Sequence, residues 1–254
     1  MKTIAFVNQK GGVSKTTCCL NVGAALARAG KKVLLVDMDP QGSLTLSAGI
    51  RLAPTDKTVY EVLKGKAELA SVVRICGSEA PYDVAPVDFR MSDADTQMIN
   101  TIGKELLLKK ALESVKKKYD YALIDSSPSL GLLTIMTLAA ADRYIIPVTA
   151  QYMPLPGINQ LEVTAGLVKN SLNKKLKLTG IIITMYDSRR LLDREAVRTI
   201  QDKYPKNTFR TYIKNNSKIA EAPAFGKDIF EYAPKSTGAE AFKDIADELQ
   251  EREG

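Results

Sequence analysis

Cysteine is scarce in this chain: three residues in 254, two of them the adjacent pair Cys18 and Cys19. That number and spacing supply neither a disulfide framework nor the paired ligands of a zinc site, so reduced thiols used for packing are the favoured reading. Long apolar runs are missing too. The longest largely apolar stretch, Gly131 to Ala141, is too short to cross a bilayer, and no basic-then-apolar leader follows Met1. No linker rich in Pro, Gly or Ser, no low-complexity tract and no internal repeat divides the sequence. The expectation is a soluble cytoplasmic protein with one domain over residues 1–254. With 45% hydrophobic and 26% charged residues, the composition is that of an ordinary globular chain able to bury a large core.

Charge is unevenly placed. Residues 174–235 hold 14 Lys and Arg against 7 Asp and Glu, an excess equal to the +7 net charge of the whole chain. Residues 236–254 hold 2 against 6. A local basic excess marks either a solvated surface or an electrostatic footprint for a polyanion.

Apolar patterning predicts strands at 2–7, 32–37, 82–86, 120–125, 143–148, 178–185 and 208–213. Most are continuous apolar runs, as parallel strands buried on both faces require. Helical patterns fall between them at 15–29, 104–118, 129–141, 156–172, 190–203 and 236–251. Alternating strands and helices imply an α/β fold, a doubly wound and mostly parallel sheet flanked by helices, with ligand at the carboxyl ends of the strands.

The chemistry-bearing residues fall at those ends. After the first strand comes Lys10-Gly11-Gly12-Val13-Ser14-Lys15-Thr16-Thr17, opening a helix. Backbone N–H groups of such a loop point at an anion, and the helix dipole favours negative charge there. Lys15 can reach β- and γ-phosphates, the Thr16 hydroxyl can ligate Mg²⁺, and Thr17 can add a donor near the α-phosphate. The common expression Gly-x4-Gly-Lys-Ser/Thr fails, because Gln9 and Ser14 occupy its glycine positions. Ser14 stands where left-handed backbone is expected, at a cost on the order of 1 kcal/mol. Asp37-Met38-Asp39-Pro40-Gln41-Gly42 follows the second strand, and Asp125 ends another in Tyr121-Ala122-Leu123-Ile124-Asp125-Ser126-Ser127-Pro128.

This deviant phosphate loop, with a lysine ahead of the glycines, resembles that of the ParA/Soj family of partition ATPases, relatives of MinD. The aspartate-rich box, the Asp125 strand and the late run Ile219-Ala220-Glu221-Ala222-Pro223-Ala224-Phe225-Gly226-Lys227 extend the likeness to nearly the whole chain. Several expectations follow from the resemblance. ATP and Mg²⁺ are the cofactors, held by Lys10, Gly11, Gly12, Val13, Ser14, Lys15, Thr16 and Thr17, with Asp125 bonded to a metal-bound water and Asp37 supporting the metal shell. Lys10, Lys15 and Asp39 carry the catalysis, Asp39 by orienting the attacking water and Lys10 by reaching the partner's phosphates in an ATP-dependent homodimer. Hydrolysis is weak alone and stimulated by a ParB-like partner. Nonspecific duplex DNA is bound through Arg189, Arg190, Lys214 and Lys218, giving nucleoid association. The phosphate loop begins about ten residues in, which leaves no room for the N-terminal helix-turn-helix domain of larger plasmid partition ATPases. Ser126-Ser127-Pro128 departs from the family's usual run while keeping Asp125 and Pro128.

Two other classes share the loop. A MinD-like membrane regulator needs a basic amphipathic tail, whereas Phe242 to Gly254 carries Asp244, Asp247, Glu248, Glu251 and Glu253. Nitrogenase-reductase-like carriers need two well-separated cluster cysteines, and only Cys76 lies apart from the adjacent pair. The sequence leaves the cargo open among chromosome, plasmid, integrative element and protein assembly.

Overall fold

Strands that are apolar on both sides must be covered on both faces, and the chain does this with helices. The computed structural model describes residues 1–78, 81–150 and 155–253. In chain order the elements are β1 (Lys2–Phe6), α1 (Lys15–Arg28), β2 (Val33–Met38), α2 (Ser43–Ser47), α3 (Val59–Leu63), α4 (Leu69–Val72), β3 (Arg74–Cys76), β4 (Tyr82–Ala85), α5 (Ala94–Gln97), α6 (Leu107–Val115), β5 (Tyr121–Ser126), α7 (Leu132–Ala140), β6 (Arg143–Thr149), α8 (Leu155–Ser171), β7 (Lys177–Thr184), α9 (Leu191–Lys203), α10 (Ser217–Glu221), α11 (Ile229–Tyr232) and α12 (Thr237–Glu253).

The strands form one sheet in the order β3-β4-β2-β5-β1-β6-β7. Every neighbouring pair is parallel except β3 with β4. The chain leaves β1 toward β2 on one side and later places β6 on the other, so the carboxyl end of β1 is the switch point of a doubly wound sheet. Along β2, Val33 and Leu35 pack with Leu20 of α1 and with Phe242, Ile245 and Leu249 of α12, while Leu34, Val36 and Met38 pack with Val59 of α3 and with Leu108 and Leu112 of α6. Alternate residues thus serve opposite faces, as the pleat requires. Gly23 sets the spacing of α1: a Cβ there would lie 2.5 Å from a Leu35 methyl. That close seat fixes where the helix N-terminus sits.

The segment 208–213, expected as a strand, is not one. It meets β7 at one isolated parallel bridge, Ile181 with Thr208, and a second bridge, Tyr186 with Lys214, lies just past both. Between them the Arg210 N–H leaves the sheet and donates to Glu248 Oε2 of α12 at 2.9 Å, a partner 38 residues away that breaks the ladder. Strand β3 and the short helices α2 to α5 were not anticipated.

Candidate nucleotide site

The loop after β1 is held from below. Asn8 Nδ2 donates to the Pro147 carbonyl at 2.8 Å, and Asn8 Oδ1 accepts the Lys10 N–H at 3.0 Å, so one buried amide ties the loop to β6. The Thr184 hydroxyl lies 3.1 Å from the Val148 carbonyl and 3.3 Å from the Val13 carbonyl, which fastens the loop to β7. Gly12 has φ 72° and Ser14 has φ 65° and ψ 30°, so both adopt the left-handed conformation. That alternation turns successive N–H groups to one side, as in an anion nest. Ser14 stands at the N-cap of α1 without capping it, and the first turn holds no acidic residue. By contrast α3, α10 and α11 are capped by Thr58, Asn216 and Asp228. The N-terminal donors of α1 are left for something outside the helix.

Lys15 is buried, and its Nζ donates to the Lys10 carbonyl at 3.1 Å. Burial pulls its pKa below the ordinary lysine value, opposed by Asp125 and Asp39. Thr16 Oγ1 donates to Asp125 Oδ2 at 2.6 Å. Asp125 is fully buried at the end of β5, and its Oδ1 has no hydrogen-bond partner. Burial pushes this carboxyl well above the usual aspartate range, with Asp37 reinforcing the rise and the Thr16 bond and Lys15 opposing it. A buried carboxylate oxygen left bare costs at least about 1–3 kcal/mol. A hydroxyl and a carboxylate converging with one oxygen to spare form a hard-oxygen donor set, which fits Mg²⁺.

Asp37 is the register partner of Asp125 across β2 and β5. Its Oδ1 accepts the Asp39 N–H at 3.1 Å, and its Oδ2 accepts the Thr45 N–H at 2.8 Å and the Thr45 hydroxyl at 2.7 Å. Burial raises its pKa to about 7 against the pull of those bonds. The turn that carries Asp39 is therefore pinned from beneath. Asp39 is buried, with Oδ1 accepting the Gln41 N–H at 3.0 Å, and it borders a cavity of about 300 Å³ shared with Gln41, Ser92, Ser127 and Ser129. Lys10 is exposed and Thr17 half-buried.

The cysteine thiols of Cys18 and Cys19 are fully buried in α1, and burial raises both pKa values. They pack against the sheet.

The basic residues gather at the same end of β7. The bridge between Tyr186 and Lys214 brings the Arg189-Arg190 loop beside the segment leading to Lys218. Their charges are not equally available. Arg189 donates from Nε and Nη2 to Asp187 at 3.0 and 2.8 Å, Arg190 Nε lies 3.9 Å from the same carboxylate, and Lys218 Nζ lies 2.9 Å from Glu221. Sequence reasoning missed these counterions, along with Asn8, Thr45 and Thr184. Thr45 had a faint signal, lying just inside the helix that follows Gly42.

A family model described as an AAA domain matches residues 1–178. The sporulation initiation inhibitor protein Soj of Bacillus subtilis is 42% identical over 98% of this chain and 98% of its own length. The chromosome-partitioning ATPase Soj of Treponema pallidum is 43% identical over 100% and 98%. The chain belongs to the ParA/Soj family. Among solved structures, cobyrinic acid a,c-diamide synthase of Mycobacterium smegmatis with bound ADP and magnesium superposes with a TM-score of 0.86 at 33% identity, covering 98% of this chain and 94% of that one. The fold of this family member is thus found in an enzyme named for other chemistry. That structure holds ADP and magnesium.

Proposed function

We propose that this family member is a Mg²⁺-ATP-dependent ATPase that dimerises on ATP, binds duplex DNA without sequence preference and partitions or positions a chromosome, plasmid or other cargo with a ParB-like activator. The observation that carries the reading is the bare Oδ1 of buried Asp125 beside the Thr16 hydroxyl, beneath an uncapped helix N-terminus. Thr16, and Asp125 through a water, are the residues that would hold the metal. Magnesium, when bound with ATP, neutralises charge that develops on the transferred phosphoryl group. The loop N–H groups of residues 11–17 cradle phosphate, and Lys15 exchanges its bond to the Lys10 carbonyl for a phosphate oxygen. Asp39 orients the attacking water, a role supported by its burial beside a cavity next to the loop after β5.

Lys10 is exposed on the loop's outer side while Lys15 occupies the inner position, which supports the assignment of Lys10 to a neighbour's phosphates. ATP then joins two copies and brings two sets of Arg189, Arg190, Lys214 and Lys218 onto one duplex, so their phosphate contacts add. Hydrolysis, accelerated by the activator, reverses this. The carboxyl-terminal helix favours DNA over a membrane as the attachment surface. Its apolar residues Phe242, Ile245 and Leu249 are buried in the core, leaving no apolar face for lipid, and no helix among the described residues is long and apolar enough to cross a bilayer. On this reading the protein is a single-domain cytoplasmic protein associated with the nucleoid.

Light scattering and duplex titrations in ATP analogue and in ADP test the reading. The expected result is dimers and tight, salt-sensitive DNA binding with the analogue only, both lost in Lys10→Ala. Asp39→Ala should trap the ATP dimer. Equal assembly in the two nucleotides, or tight binding to anionic vesicles alone, would contradict it.

A further inference from the structure

The cations that follow β7 are held by two carboxylates of different kinds. Glu221 Oε2 takes the Lys218 ammonium at 2.9 Å and the Tyr232 hydroxyl at 2.7 Å, so it also ties α10 to α11. Among the described residues, the Asp187 carboxylate is bonded by arginine groups alone. Its Oδ1 accepts the Arg189 backbone N–H and the Arg189 Nε–H, both at 3.0 Å, and its Oδ2 accepts from Nη2 at 2.8 Å. Arg190 Nε stands 3.9 Å from that second oxygen. Two parallel bonds from one edge of a guanidinium to two oxygens of an oxyanion are the fork by which arginine holds a phosphate. The Asp187 carboxylate fills a phosphate's place.

Of the two partners, the carboxylate is the fixed one. The Asp187 side chain is 15% exposed against 87% for Arg189. The Asp187 N–H donates to Oδ2 of buried Asp193 in α9 at 2.9 Å, its carbonyl accepts the Arg190 N–H at 3.0 Å, and the Ser188 carbonyl accepts from Arg194 Nη1 at 3.0 Å. The Arg189 bonds hold the Asp187 carboxyl well below the usual aspartate range, so it is an anion at neutral pH. Lys214 differs. It is exposed and has no carboxylate within ion-pair distance among the described residues.

We propose that Asp187 is an internal stand-in for a DNA phosphate, an affinity-limiting residue that makes duplex binding depend on two subunits acting together. The proposal rests on the DNA-binding reading above and deepens it. When Arg189 exchanges the carboxylate for a phosphate, the freed carboxylate gathers cations from solution and cancels the counterion release that drives binding. The exposed ion pair is itself weak, so phosphates already held nearby displace it, whereas a single phosphate in solution does not. One subunit therefore starts with part of its charge cancelled. Two subunits joined on one duplex double what is left and hold the phosphates at high effective concentration. Without the carboxylate, one subunit should suffice.

Asp187→Asn keeps an oxygen for the Arg189 N–H and removes the charge. The test is its duplex titration beside the parent, at several salt concentrations, in ADP and in ATP analogue, with light scattering to report assembly. The parent should bind with the analogue only. The variant should bind about tenfold or more tighter with the analogue at moderate salt, and bind as a monomer in ADP, with a log–log slope steeper by about 0.9 per subunit. Adding Arg189→Gln to Asp187→Asn should remove the gain. Glu195→Gln takes an equal charge from an exposed residue of α9 that has no cation within ion-pair distance among the described residues. It should change affinity by less than about threefold, since its effect is screened by salt. Unchanged or weaker binding by Asp187→Asn, with the parent binding in the analogue, would overturn the proposal and leave the DNA-binding reading standing. So would an equal gain in Glu195→Gln, or dimers of Asp187→Asn in ADP. Failure of parent and variant alike to bind duplex in either nucleotide would remove the reading and the proposal together.

Discussion

Asp37 on β2 and Asp125 on β5 are register partners, both fully buried and both raised in pKa by that burial. Their surroundings differ. Asp37 is closed off by three donors from Thr45 and the Asp39 backbone, whereas Asp125 has one bond from Thr16 and one bare oxygen. The same side chain, on adjacent strands at the same depth, is fully bonded in one place and half open in the other. Burial and raised pKa do not separate the two; the inventory of donors does, and it is what supports the metal role proposed for Asp125.

The largest effect should come from the cation that belongs to one side of this pair. Lys15 is attracted by Asp125 and Asp39. Lys15→Ala should weaken Mg²⁺-ATP binding at least about a hundredfold in calorimetric titration, since charge-assisted bonds to phosphate are lost. On the other side, Asp37→Asn turns one acceptor into a donor facing the Thr45 or Asp39 N–H. It should destabilise the fold by about 1–3 kcal/mol. At roughly 2–4 °C per kcal/mol for a chain of this size, thermal unfolding would report a fall of about 2–12 °C.

Part of this site was legible in the sequence because its signals are local. A lysine ahead of two glycines, a serine where left-handed backbone is needed and a carboxylate closing an apolar strand all act within a few residues, and the φ of Ser14 and the burial of Asp125 agree with that reading. The illegible parts depend on distant partners. Nothing near Arg210 announces that Glu248 will take its N–H and end a strand, and nothing near Asn8 announces the Pro147 carbonyl. Arg189 and Lys218 read as free cations until Asp187 and Glu221 are seen folded back onto them.

A pH series sharpens the contrast further. A carboxyl whose pKa is raised by folding keeps its proton where the unfolded chain has lost it, so its penalty is absent at low pH and grows as pH rises. For Asp37 the window runs from 3.8 to about 7. Asp125, raised in the same direction, should make metal-free Asp125→Asn more stable than the parent at pH 8, by roughly a few °C in unfolding temperature, with the gap closing as pH falls to the ordinary aspartate range. A gap that widened on acidification would mean that Asp125 is stabilised as the anion. The smallest effect is expected at Ser14→Gly. Relief of the left-handed strain, about 1 kcal/mol, is partly offset by the entropy of glycine in the unfolded chain, leaving a net gain below about 1 kcal/mol in denaturant titration.

Magnesium-dependent phosphate release from ATP, measured side by side for the parent, Asp125→Asn and Asp37→Asn at a temperature where all three are folded, tests the difference between the two carboxylates most directly. The open-ligand assignment of Asp125 predicts a loss of about 10²–10³ in turnover for Asp125→Asn and a change of less than about tenfold for Asp37→Asn. Full turnover in Asp125→Asn, or equal losses in the two variants, would contradict it.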